Sequence, residues 1–158
     1  MSVIDIELAM HHLLAEPDDQ VLIQAQLDAA EEAAKQFMQR RFFLDQATLD
    51  VTKANVAARL SACRLSYDAA KAGADLIQHD EDRCRLLDQA WRAYIEAVED
   101  IDMDAYGIVM NPAIRAACLL KLGHLYANRE EVVAGSTVAE LPLASKSLLM
   151  PYRIGMGV

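Results

Sequence analysis

From Asp18 to Asp104 the chain contains one glycine, Gly73, and no proline, and apolar residues recur through it with helical rather than strand spacing. The clearest case comes first. Ile23, Leu27, Ala30, Ala34 and Phe37 fall on one side of a helix running to about Arg41, and Gln24, Asp28, Glu31, Lys35 and Gln39 fall on the other. Pro17 suits the first turn, where its missing N–H costs nothing, and Asp18 and Asp19 place negative charge at the positive end. Glu31 and Lys35, four apart with the acid first, read as a surface pair worth ~0.2–0.5 kcal/mol. Ala29, Ala30, Ala33 and Ala34 would admit another helix closely.

Further helices flank this one. Ser2 and Asp5 have capping-box spacing, and Ile4, Leu8, His11 and Leu14 share a side of a first helix over about residues 3–15. Between about Thr48 and Asp104, Val56, Leu60, Cys63, Tyr67 and Ala70 form one stripe, while Leu87, Trp91, Tyr94 or Ile95, Val98 and Ile101 form another. The polar run Gln78–Arg83 separates them. It predicts either the turn of a helical hairpin or a break between two helices folded separately onto the rest. Gly73 is a candidate bend and Gly107 a C-terminal cap.

Asn111 and Pro112 then open a helix that is apolar almost all round, leaving only a strip with Lys121, His124 and Asn128, so it must be central. Gly123 within it costs ~1 kcal/mol relative to Ala, which predicts another backbone close by. After Gly135 the chain reads as extended or irregular with one helical turn near Ser145–Met150. Leu141, Leu143, Leu148, Leu149, Met150 and Tyr152 need a groove, on this chain or on a neighbour. The expected fold class is therefore all-α: a single domain over 1–158, a helical bundle around a central buried helix, with a helical insertion at 48–104 and a partly extended docking tail at 136–158.

Composition narrows the function. In 158 residues, 54% are apolar but only 6% aromatic, which suits close-packed helices. A net charge of −9 disfavours a nucleic-acid binder, whose affinity comes from clustered Lys and Arg. The basic run Gln39–Phe43 is expected to complement the negative end of the second helix rather than to hold phosphate. The first residues lack the pattern of a signal peptide, and no stretch reaches the ~18 apolar residues of a membrane span, so a protein made in the cytoplasm is expected. Cys63, Cys84 and Cys118 make no CxxC pair and read as small buried apolar residues.

No residue set supports catalysis or a metal. His11 and His12 are adjacent and point about 100° apart on a helix. No Glu-x-x-His pair is present for a di-iron site, Cys118 and His124 diverge on one helix, and glycine-rich phosphate loops are absent. Neither a cofactor nor catalytic residues are expected.

The order of segments carries a resemblance. A short helix, "EPDD", an alanine-rich helix ending in "RRFF", then "NPAIRAACLLKLGHLYANREEV" and "LPLASKSLLMPYR" together resemble the head-tail connector family of long-tailed bacteriophages, the head completion or adaptor proteins. Its most specific elements are Pro112 with Ile114, the block His124, Leu125, Tyr126, Asn128, Arg129 and Glu130, and the block Leu148, Leu149, Pro151, Tyr152 and Arg153. The likeness covers residues 3–44 and 111–153; the segment 48–104 is longer than in the shorter members. It implies a virion protein, made in the host bacterial cytoplasm, that forms a homo-oligomeric, dodecameric ring beneath the portal. Such a ring continues the DNA channel without sequence-specific binding, contacts no membrane, and offers its far side to a tail or stopper protein. On that reading Tyr126 anchors packing, Asn128, Arg129 and Glu130 end the central helix, and Leu148, Leu149, Pro151, Tyr152 and Arg153 meet a neighbouring subunit or the portal. The competing reading is a helical DNA-packaging protein of the small-terminase kind, which needs a basic face.

Overall fold

Side-chain caps at Asp5 and Asn111 mark two helix starts. The computed structural model describes residues 2–128 and 143–155. Its helices are α1 (Ile6–Leu13), α2 (Gln20–Met38), α3 (Gln46–Ala54), α4 (Val56–Asp75), α5 (Asp80–Ala105), α6 (Pro112–Ala127) and α7 (Leu143–Leu149). Pro17–Asp19 is a 3₁₀ turn leading into α2, as the proline predicts. Two short strands, β1 (Phe42–Phe43) and β2 (Ile108–Val109), pair in parallel with Phe42 beside Ile108 and Phe43 beside Val109. The fold class is all-α. The chain divides into two compact units, Met1–Asp45 with Ile108–Val158, and Gln46–Gly107.

In the first unit, α6 packs against α2, α7 and α1. Ile23, Leu27, Ala30, Ala34 and Met38 of α2 meet Ile114, Ala117, Cys118 and Leu122 of α6 in one buried cluster. Alanines at the contact let the backbones approach, which sets how deeply α6 is buried. Glu31 corrects the surface-pair expectation: it is 1% exposed. One of its carboxylate oxygens, Oε1, accepts the backbone N–H groups of Val3 at 2.9 Å and Ile4 at 2.8 Å. The ion partner of Lys35 is instead Glu32, at 3.7 Å.

That carboxylate also explains why α1 starts late. With the Val3 and Ile4 amides held by Glu31, the cap falls to Asp5, whose side chain accepts from Glu7 N. Ser2 serves a different purpose, accepting from Gln24 Nε2 at 2.9 Å. The inward face of α1 is Ile6, Ala9, Met10 and Leu13, whereas Leu8 and Leu14 are exposed. Leu14 takes a left-handed conformation (φ 52°) that ends the helix, and Gln39 (φ 55°) does the same for α2. The turn at Gln39 releases Arg40–Phe43 from the helix expected to reach Arg41, so that Phe42 is buried in β1. Over Gly123 lie the side chains of His12 and Leu13, not a backbone; a methyl group there would make ordinary contacts at 3.9 Å.

In the second unit α4 and α5 fold back on one another. The reversal is Leu76–His79, and Asp80, Glu81 and Asp82 form the first turn of α5, where acids are favoured by the helix dipole. The two expected stripes meet: the rings of Tyr67, Trp91 and Tyr94 lie with centroids 5.1–5.8 Å apart. Asp104 is buried in the last turn of α5, the unfavourable end for an anion. Arg59 of α4 offsets this, bonding Asp104 through Nη1 and Asp100 through Nη2 at 3.0 Å.

Two outcomes test these anchors. Burial pushes the Glu31 carboxyl above its ordinary 4.5, against the downward pull of the two amides and Lys35. The folded chain then binds this proton more tightly than the unfolded one. Its contribution to stability is full below about pH 4.5 and declines as pH rises through the folded value. Denaturant titrations across that range should show a decline that Glu31→Gln abolishes, while Glu31→Ala, which orphans two N–H groups, should cost about 2–4 kcal/mol. In the second unit, Arg59→Ala should cost about 1–3 kcal/mol in thermal unfolding, because Asp104 then stays buried without its cation; a loss within 0.5 kcal/mol would show the pair to be dispensable.

Candidate interaction surface

Among the described residues, the stretch from α7 to Gly155 finds its groove on its own chain, and Leu141 lies outside the described residues. Pro112 and the Asn111 cap, whose side chain accepts from Ile114 N at 2.9 Å, set the start of α6. The far end of α6 is tied to the start of α2: Tyr126 donates its hydroxyl to Asp19 Oδ2 at 2.7 Å, and Gln26 Nε2 donates to the Leu125 carbonyl at 3.3 Å. Asn128 closes the helix, its backbone N–H and side-chain amide both donating to the His124 carbonyl, at 3.0 and 2.9 Å. Arg129 and Glu130 lie outside the described residues.

Within the last stretch, α7 is followed by a 3₁₀ turn over Met150–Tyr152. Leu149 is buried in the core, and Leu148 and Tyr152 pack against it. Three contacts hold the segment to the end of α2. The Tyr152 carbonyl accepts from Arg40 Nη1 at 3.3 Å, Ile154 N donates to the Met38 carbonyl at 3.0 Å, and the Arg153 guanidinium stacks 5.2 Å from the Phe37 ring centre. Pro151 and Arg153 remain exposed, as do Lys146 and Met150. Between α2, α6 and α7 lies a groove of about 140 Å³ lined by Ala33, Phe37, Lys121 and Lys146 among others.

The structure thus brings together Leu148, Leu149, Tyr152 and Arg153 on the α2 side, and sets Tyr126 and Asn128 at the C-terminal end of α6. Arg40 was not among the expected site residues; its position just after a buried helix is the signal that marks it. The exposed part of the surface is cationic, with Lys146 and Arg153 on an acidic chain.

The Cys118 thiol is pushed up to about 12 by burial, with the Glu31 charge adding to the effect. It therefore carries negligible thiolate at neutral pH. Cysteine burial differs from expectation: Cys118 is buried, Cys63 is half-buried with its thiol 3.9 Å from the Tyr94 carbonyl, and Cys84 is exposed near the start of α5. Among the described residues no three His, Cys, Asp or Glu side chains are grouped to hold a metal, and no helix is long and apolar enough to cross a membrane. Comparison with protein-family models, curated proteins and solved structures finds no match to this chain.

Thiol labelling of the native protein, read by mass spectrometry, should modify Cys84 first and leave Cys118 unmodified until denaturant is added. Labelling of Cys118 at the rate of Cys84 would mean that the α2–α6 core opens readily.

Proposed function

We propose that this chain is a structural head-tail connector of a tailed bacteriophage, a subunit that assembles into a ring between portal and tail and lines a passage for DNA. One observation carries the reading. The two stretches that bear the family resemblance, residues 3–44 and 111–153, fall within one compact unit, and the intervening helices form another. A separately folded insertion leaves the arrangement of the first unit intact, which is how a longer member keeps the function of shorter ones. An acidic chain also suits a conduit that DNA must slide through without sticking. The cationic edge at Lys146 and Arg153 is exposed, and Lys146 in particular is placed to meet an acidic patch on the portal or a neighbouring subunit. Contacts round a ring are heterologous, so that edge meets a different surface on the next member. The role is one of assembly rather than catalysis.

Native mass spectrometry with negative-stain imaging, over a range of concentrations and with purified portal added, tests the proposal. A closed ring, alone or on the portal, is the expected outcome. A chain that stays monomeric and does not bind portal complexes would sink the assignment. Lys146→Glu should weaken portal or ring association at least tenfold and leave the helical circular-dichroism signal unchanged, because its side chain is exposed. Tyr152→Ala with Arg153→Ala should weaken association as well, with some loss of stability, since Tyr152 also packs on the core of its own chain.

A further inference from the structure

Two surfaces of the first unit complement one another in size and charge. The groove between α2, α6 and α7 has apolar walls, Ala33, Phe37 and Ala117 among them, and a volume of about 140 Å³. Lys121 and Lys146 stand at its sides, and among the described residues neither ammonium is paired with a carboxylate. On a chain of net charge −9, two such cations beside an apolar cleft select an occupant that is apolar at its tip and anionic around it.

The stretch from Leu14 to Val21 has that chemistry. Leu14 is 88% exposed, more than any other large apolar side chain among the described residues, and Val21 is 84% exposed. Glu16 and Asp18, between them, are exposed as well, and among the described residues neither pairs with a cation. The Tyr126 hydroxyl, bonded to Asp19 at 2.7 Å, fixes the turn that carries them. Leu14 also ends α1 with φ 52°, a conformation that glycine or asparagine takes at less cost. A leucine held in that conformation and left in water gains no burial from its own chain. We propose that Leu14 of one copy seats in the α2–α6–α7 groove of the next, with Glu16 and Asp18 set against Lys121 and Lys146.

Size agrees with this occupant, since an apolar cavity of roughly 150 Å³ holds a benzene-sized group, and one leucine side chain fits the groove. The two surfaces are apart on each subunit. The acidic turn precedes Gln20, the first residue of α2, and the groove centres on Ala33, roughly 20 Å further along the helix. A subunit therefore presents knob and groove in different places, and the contact is heterologous, the kind that repeats head to tail round a ring. It supplies the subunit contact that the ring reading requires and rests on that reading, but it calls for neither portal nor DNA.

Native mass spectrometry of the full chain, alone and with purified portal, tests the contact by charge exchange. Lys121→Glu with Lys146→Glu, and separately Glu16→Lys with Asp18→Lys, should each weaken subunit association about tenfold or more, with circular dichroism unchanged. An equimolar mixture of the two variants should restore it. The lysine-bearing turn of one then meets the glutamate-bearing groove of the other, and the remaining turn and groove still match. Independently, Leu14→Cys and Ala33→Cys chains, both carrying Cys84→Ser, should form a disulfide-linked dimer with diamide when mixed, and neither should do so by itself. A mixture of charge variants no more associated than either alone, or Leu14→Cys linking to itself as readily as to Ala33→Cys, would overturn the contact. Rings that persist in both charge variants would overturn it and leave the connector reading standing, whereas a restored mixture that binds no portal would do the reverse. A wild type that stays monomeric both alone and with portal would overturn both.

Discussion

A carboxylate inside the bundle organises the first unit. Glu31 sits on the face of α2 that helical spacing assigns to solvent, yet it is buried because two backbone N–H groups of the N-terminal segment come to it. Burying an anion is expensive unless hydrogen bonds replace its water. Here the replacement comes from Val3 and Ile4, and the result is mutual: the acid is satisfied, and the chain before α1 is held against α2. The cap at Asp5, the rotation of α1 that turns Ile6, Ala9 and Met10 inward, and the contact of His12 and Leu13 with α6 at Gly123 all follow from that placement.

The second unit solves a similar problem at the end of a helix. Asp104 is buried in the final turn of α5, where the dipole disfavours it, and Arg59 from the facing helix supplies the missing positive charge. Both units therefore bury one acid and anchor it with a partner from a different element. Removing either partner would leave a buried charge or buried donors unpaired.

Much of the molecule was legible from residues alone. Proline at 17 and 112, the stripe Ile23, Leu27, Ala30, Ala34, and the apolar girth of α6 led directly to helices that exist and to a central one. The boundaries were less legible. Asp80–Arg83 looked like a turn because it is polar, but acids at a helix start are favoured by its dipole. The run Arg40–Phe43 looked like a helix end because it is basic, but a left-handed Gln39 had already ended α2.

For the candidate surface the division is similar. An apolar C-terminal segment demands a groove, and its composition says so; whether the groove is on the same chain depends on where α2 and α6 lie. The Arg153–Phe37 stacking and the Arg40–Tyr152 bond join residues more than a hundred positions apart, a distance no local pattern spans. The sequence by itself determined helix content, the identity of the central helix and the acidic character of the chain, because periodicity and charge are properties of neighbours along the chain. Only the tertiary structure decided that Glu31 is inside, that Phe42 pairs with Ile108 and that Leu149 belongs to its own core, because burial of a group is set by what the rest of the chain brings to it.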